Sequence, residues 1–115
     1  MRRSVSTAAG LRLAAGALGL MLAEAASASD AKLLAYGRHL AGECSGCHRI
    51  DGVDNGIPSI TGWPSEAFVA TLNFYRNGER TNPAMVSVAQ SLNEPEYRAL
   101  AAYYGSLSKG SSAKK

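Results

Sequence analysis

Hydrophobic positions along most of the chain recur every three or four residues, the spacing of helices that bury one face. Leu33, Gly37, Leu40 and Ala41 follow this spacing and predict a first helix, with Asp30 as its N-cap. No segment alternates apolar and polar residues in the manner of a strand, so the pattern predicts an all-α fold.

A second helix is predicted to begin at Ser65, whose hydroxyl can cap it, and to end at Gly78. Phe68, Leu72 and Tyr75 lie along one side of this segment and predict its buried face. The preceding stretch, residues 49–64, is predicted to be a loop because it is crowded with helix and strand breakers. These breakers are Gly52, Gly56, Pro58, Gly62 and Pro64.

Two further helices are predicted in the last third of the chain. A short one covers residues 84–91, after the turn at Asn82-Pro83. The segment 93–96, Asn-Glu-Pro-Glu, has the form of a capping box with proline in the first turn, and it opens the last helix. The predicted buried face of that helix consists of Tyr97, Leu100, Ala101, Tyr104 and Leu107.

Residues 1–28 have the three parts of a cleavable secretory signal. Arg2 and Arg3 form the positive region, 13–23 is an apolar run, and 26–28 reads Ala-Ser-Ala, a typical cleavage site. The apolar run has 11 residues, whereas a membrane-spanning helix needs about 20, so no stable span is expected after the signal is removed. The sequence thus predicts export to the periplasm. An uncleaved amphipathic or anchoring helix is the alternative.

The charge balance changes once the signal is set aside. The whole chain of 115 residues carries a formal charge of +3, which is too small to indicate nucleic-acid binding. The remaining 87 residues have a net charge of +1. Three of their basic residues are lysines in the terminal segment 109–115, so the residues before that segment are net negative. We therefore predict one mildly acidic domain over residues 29–108, followed by a flexible basic tail. A domain of this size needs a further source of stability, such as a large cofactor.

Residues 44–48 read Cys-Ser-Gly-Cys-His, the C-x-x-C-H pattern of covalent haem attachment. Two thiols at this spacing can add to the two vinyl groups of one haem, and the adjacent His48 then lies under the iron as its ligand. The motif therefore predicts one haem c, bound covalently through Cys44 and Cys47.

Three other chemistries are compatible with two cysteines at this spacing. A thioredoxin-like redox pair would require a βαβ context, and no strands are predicted. A zinc site would have only His39 and His48 to complete it, and neither has zinc-finger spacing from the cysteines. A plain disulfide would close a very short loop and add little stability.

The second axial ligand is predicted to be Met85, the one methionine that remains after the signal. It follows a proline-containing turn in the second half of the chain. Ligation by methionine and histidine raises the haem potential and suits electron transfer. His39 is the rival ligand. Its position on the first helix, five residues before Cys44, predicts a surface histidine instead.

Together these residues resemble those of class I c-type cytochromes, over residues 30–107. The resemblance implies a small cytochrome c fold of three to four helices around one covalently bound haem. It implies that Gly37 lets the last helix cross closely, with Tyr104 as the aromatic partner. It also implies that the carbonyl of Pro58, in the Ile-Pro-Ser-Ile-Thr-Gly segment at 57–62, accepts a hydrogen bond from the Nδ1–H of His48.

The segment 75–80, Tyr-Arg-Asn-Gly-Glu-Arg, followed by Met85 and by Leu-Ala-Ala-Tyr-Tyr at 100–104, is similar to short bacterial periplasmic cytochromes. It is also similar to the haem subunit of flavocytochrome c sulfide dehydrogenase. The first similarity implies a carrier of single electrons between redox proteins, without catalysis of its own. The second implies a haem subunit that accepts electrons from an FAD flavoprotein.

Two roles stay open beside these. A haem sensor or ligand-binding module would need Met85 to be absent from the iron or labile. Arg76 and Arg80 could contact haem propionates or a partner, or they could be solvated residues at a helix end. Trp63 and Tyr75 are expected to pack near the haem or in the ordinary core.

Overall fold

In the computed structural model, the described residues 13–109 form four α-helices. These are α1 (Leu13–Cys44), α2 (Ser65–Arg76), α3 (Pro83–Ser91) and α4 (Glu94–Ser106). No β-strand occurs within that range. The predicted all-α class is therefore confirmed for the described part of the chain.

The chain divides into two compact units, residues 1–31 and 32–115. The structure describes 13–31 of the first unit as helical backbone. The arginine pair of the predicted signal and residues 110–115 of the predicted tail lie outside the described residues. Across residues 13–109, no helix combines the length and the apolar character needed to cross a membrane.

The core of the second unit lies where α2 and α4 pack together. Phe68 and Leu72 are the buried residues of α2, so the predicted face is confirmed at two of its three positions, and Tyr75 is only half-buried. On α4 the predicted buried face is confirmed at four of its five positions, since Leu107 is only half-buried. The four are Tyr97, Leu100, Ala101 and Tyr104. We call these buried side chains of α2 and α4 the packed face.

The C-terminal part of α1 crosses α4 at Gly37, where the backbone of α1 lies directly against the backbone of α4 at Ala99. A Cβ atom added at Gly37 would lie 2.0 Å from the carbonyl oxygen of Ala99 and 2.8 Å from the Cβ of Tyr103. The crossing therefore requires glycine. The expectation of a close crossing at Gly37 is confirmed, but the aromatic residue nearest to the glycine is Tyr103 and not the expected Tyr104.

Helix ends follow the predicted signals in part. The capping box that opens α4 is confirmed, because Asn93 accepts from the Glu96 N–H and Glu96 accepts from the Asn93 N–H. Two predicted caps are wrong. Asp30 lies inside α1, where the alanine-rich flanks favour uninterrupted helix. Ser65 is the first helical residue, because Pro64 occupies the N-cap position with φ −57° and ψ 136°.

Residues 45–64 connect α1 to α2 without regular secondary structure, as predicted for 49–64, and we call them the linking loop. The loop is joined to α4 at Gly62, whose N–H donates to the Tyr104 carbonyl at 2.8 Å. Three of its large apolar side chains are exposed, namely Ile50 (55%), Val53 (42%) and Ile57 (38%).

Candidate functional site

A cavity of about 370 Å³ lies between the linking loop and the helices of the second unit. This size falls in the range of about 300–1,000 Å³ that is usual for small-molecule and cofactor sites. Its walls are mostly apolar and include the side chains Ile60, Trp63, Phe68, Leu72, Tyr75, Val88, Leu92 and Leu100.

The end of α1 and the turn that follows it bring the three chemical groups of the C-x-x-C-H motif to this cavity. The N–H groups of Cys47 and His48 both donate to the Cys44 carbonyl, at 3.1 and 2.8 Å. This tight turn leaves Cys44, Cys47 and His48 all on the cavity wall. Both cysteines are free thiols; Cys44 is half-buried and Cys47 is exposed. Burial raises the pKa of the Cys44 thiol, an effect partly offset by a hydrogen bond from Tyr104.

The imidazole of His48 is hydrogen-bonded to the backbone of the linking loop. Its Nδ1 lies 2.7 Å from the carbonyl oxygen of Pro58. A carbonyl oxygen only accepts, so Nδ1 carries the proton of this bond, and in the neutral ring Nε2 is then the nitrogen with the lone pair. This hydrogen bond is the one that was expected at Pro58. It fixes both the ring orientation and the tautomer, as the outer partners of metal-binding histidines do.

Met85 lines the same cavity from the first turn of α3 and is half-buried. The structure thus brings a thioether and an imidazole nitrogen to one apolar space. His39 is exposed on α1 and is not among the residues that line the cavity. This placement agrees with its interpretation as a surface histidine.

A pair of hydroxyl groups links the C-x-x-C-H turn to α4. The Oγ of Ser45 and the phenol oxygen of Tyr104 are 3.0 Å apart, and Tyr104 also donates to the Ala41 carbonyl at 3.3 Å. Burial raises the pKa of Tyr104 to about 12, so the phenol stays protonated as a donor. Sequence reasoning did not find this pair, because the two residues are separated by 59 positions.

The two arginines of the 75–80 segment differ in their surroundings. Arg76 donates to the Leu92 carbonyl, and its guanidinium lies 5.0 Å from the centre of the Tyr97 ring. It therefore ties α2 to the start of α4. Arg80 lines the cavity, 5.5 Å from the centre of the Tyr75 ring. It is the one lysine or arginine among the described lining residues.

A zinc site and a thioredoxin-like redox pair are the alternatives for the two cysteines. No group of three or more His, Cys, Asp or Glu side chains within the described residues is arranged to hold a metal ion. The described part of the chain also has no strand that could provide a thioredoxin-like βαβ context. Trp63 and Tyr75, expected near the haem or in the core, both lie on the cavity wall.

A comparison with protein-family models and a comparison with curated proteins each find no match to this chain.

Proposed function

We propose that this protein is a monohaem c-type cytochrome with a class I fold, exported to the periplasm, which carries single electrons between redox proteins. The observation that carries this proposal is the shared cavity. Two thiols, an imidazole with a free Nε2 and a methionine thioether all line one apolar space.

The residues present fit a haem. The cavity walls are apolar, as a porphyrin ring requires, and the cysteines on the α1 turn can each add an S–H bond across one vinyl group with no atom lost. Nε2 of His48 and the sulfur of Met85 would hold the iron. When bound, the haem supplies a one-electron couple between ferric and ferrous iron.

The chain's own residues then determine what this couple does. A histidine and a methionine that both stay bound leave no open position for a substrate, so they favour electron transfer over catalysis. The Pro58 carbonyl keeps the His48 ring from turning. Trp63, Phe68 and Leu100 give the cavity an apolar wall against which a porphyrin ring would pack.

Charge supports a role for Arg80 but not for Arg76 at the cofactor. A haem carries two propionates, and Arg80 is the cavity's one arginine, with no carboxylate partner among the described ion pairs. Arg76 is already engaged with Leu92 and Tyr97. Residues 29–108 carry a net charge of −2, which favours a basic docking face on a redox partner.

The test is a visible and near-infrared spectrum of the mature protein produced with haem maturation factors. We expect a sharp α-band in the reduced form and a weak methionine-to-iron charge-transfer band in the oxidised form. Met85→Ala should lose the second band and keep the covalent haem, whereas His39→Ala, the matched control, should keep both. A wild-type haem protein without the methionine band, which binds carbon monoxide readily, would indicate a sensor instead.

A further inference from the structure

We propose that Asn82 is a positioning residue for Met85: its side chain fixes the first turn of α3 and thereby holds the methionine sulfur at the cavity. This inference rests on the proposed function, since it concerns Met85 as an axial ligand.

The first turn of α3 is bound to Asn82 by two consecutive hydrogen bonds. The Asn82 side-chain oxygen accepts from the Met85 N–H at 3.2 Å, and its main-chain carbonyl accepts from the Val86 N–H at 2.9 Å. Asn82 itself lines the cavity beside Met85. The residue that caps the helix and the residue that would bind the iron are therefore fixed to each other at the site.

The helix depends on this cap more than a long helix would. It has 9 residues, and helices shorter than about 12–15 residues are marginal by themselves in water. Pro83 at its start has no N–H to donate, so the Met85 N–H is one of few donors that can anchor the first turn. If that turn frays, Met85 moves with it because it belongs to the turn.

The chain contains a matched case, in which a residue that does not line the cavity caps a helix in the same way. Asn93 caps α4 with its side-chain oxygen, 3.0 Å from the Glu96 nitrogen. It is not among the residues that line the cavity. Loss of this cap weakens a helix end by a similar mechanism without touching Met85.

The experiment uses the full haem-loaded protein and three variants: Asn82→Ala, Asn82→Asp and Asn93→Ala. Three quantities are measured: the intensity of the methionine-to-iron band in the oxidised protein, the rate of carbon monoxide binding to the ferrous form, and amide hydrogen exchange at Met85. Loss of an N-cap corresponds to roughly a 2- to 30-fold change in a local opening equilibrium.

We expect Asn82→Ala to weaken the band and to speed both carbon monoxide binding and Met85 exchange by a factor in that range. Asn82→Asp should restore all three towards wild type, because aspartate caps as well as asparagine. Asn93→Ala should leave the three Met85 readouts unchanged while lowering global stability. If Asn82→Ala folds poorly, Asn82→Gly, which also removes the side-chain oxygen but at a smaller cost to the helix, takes its place with the same expected direction in all three readouts.

Equal effects of Asn82→Ala and Asn93→Ala on the band, or no effect of Asn82→Ala on any readout, would overturn the positioning role alone. A wild-type protein that holds haem but shows no methionine band would overturn the proposed function and this inference with it. The wild-type spectrum therefore separates the two failures.

Discussion

The packed face of α2 and α4 and the linking loop both contribute side chains to the wall of the cavity, yet they are built differently. On the packed face, Tyr97 and Tyr104 are fully buried, and their hydroxyls bond to the Ala89 and Ala41 carbonyls. On the loop, Ile50, Val53 and Ile57 are exposed, and local hydrogen bonds order the chain, such as those from the Val53 and Gly56 N–H groups to the carboxylates of Asp51 and Asp54.

This difference indicates that the two regions have different roles, one in stability and the other in the chemistry of the site. The packed face has the buried apolar area that stabilises a fold by itself. The loop carries chemistry, since the motif cysteines lie at its α1 end and the Pro58 carbonyl that orients His48 lies near its middle. In the proposed holoprotein, thioether bonds to a cofactor would anchor the cysteine end of the loop, whereas Ile60 and Trp63 anchor its other end by packing against the core.

The largest effect we expect is a difference in the free energy of unfolding between a substitution on the packed face and one on the linking loop. Leu100 is 1% exposed and Ile50 is 55% exposed, and their side chains have the same composition. Leu100→Ala should lower the free energy of unfolding by about 2–5 kcal/mol, because it removes buried methyl groups. Ile50→Ala should change it by less than about 0.5 kcal/mol. Denaturant unfolding of the mature protein measures both, and comparable losses would contradict the difference between the two regions.

A smaller effect tests the crossing of α1 with the packed face. Gly37→Ala places a methyl group 2.0 Å from the Ala99 carbonyl oxygen, where the backbone cannot move aside cheaply. We expect a loss of about 1–3 kcal/mol, as for other overpacked sites.

Gly42 provides the control for that variant, since it lies in the same helix with no atom within 4 Å of an added Cβ. Gly42→Ala should therefore stabilise the protein by about 0.5–1 kcal/mol, through helix propensity alone. Thermal or denaturant unfolding of the two variants gives the signs. A stable Gly37→Ala protein would show that the helices do not cross as closely as described.

Local rules were enough to predict much of this fold. The buried faces of α2 and α4 follow from helical periodicity, because each face is set by residues three or four apart. The capping box at Asn93 was predictable for the same reason, since its two bonds join residues three positions apart. The candidate site was also visible locally, because the motif places Cys44, Cys47 and His48 within five residues.

The features that sequence reasoning missed depend on contacts between distant segments or on competition between local signals. The Ser45–Tyr104 hydroxyl pair and the bond from Arg76 to Leu92 form only after the helices pack. Asp30 has a side chain that can cap a helix, but the helix propensity of its neighbours favours a continuous helix through this position. At Ser65 the preceding proline took the cap position, because its fixed φ suits the residue that opens a helix.

The measurement that tests the central claim most directly is the intact mass of the mature protein, produced with haem maturation factors and then denatured. We predict that the wild-type chain retains the mass of one haem, and that the Cys44→Ser/Cys47→Ser double variant retains none. Ser45→Ala, a change within the same turn, should keep the haem. A wild-type chain that carries no covalent haem under these conditions would contradict the account.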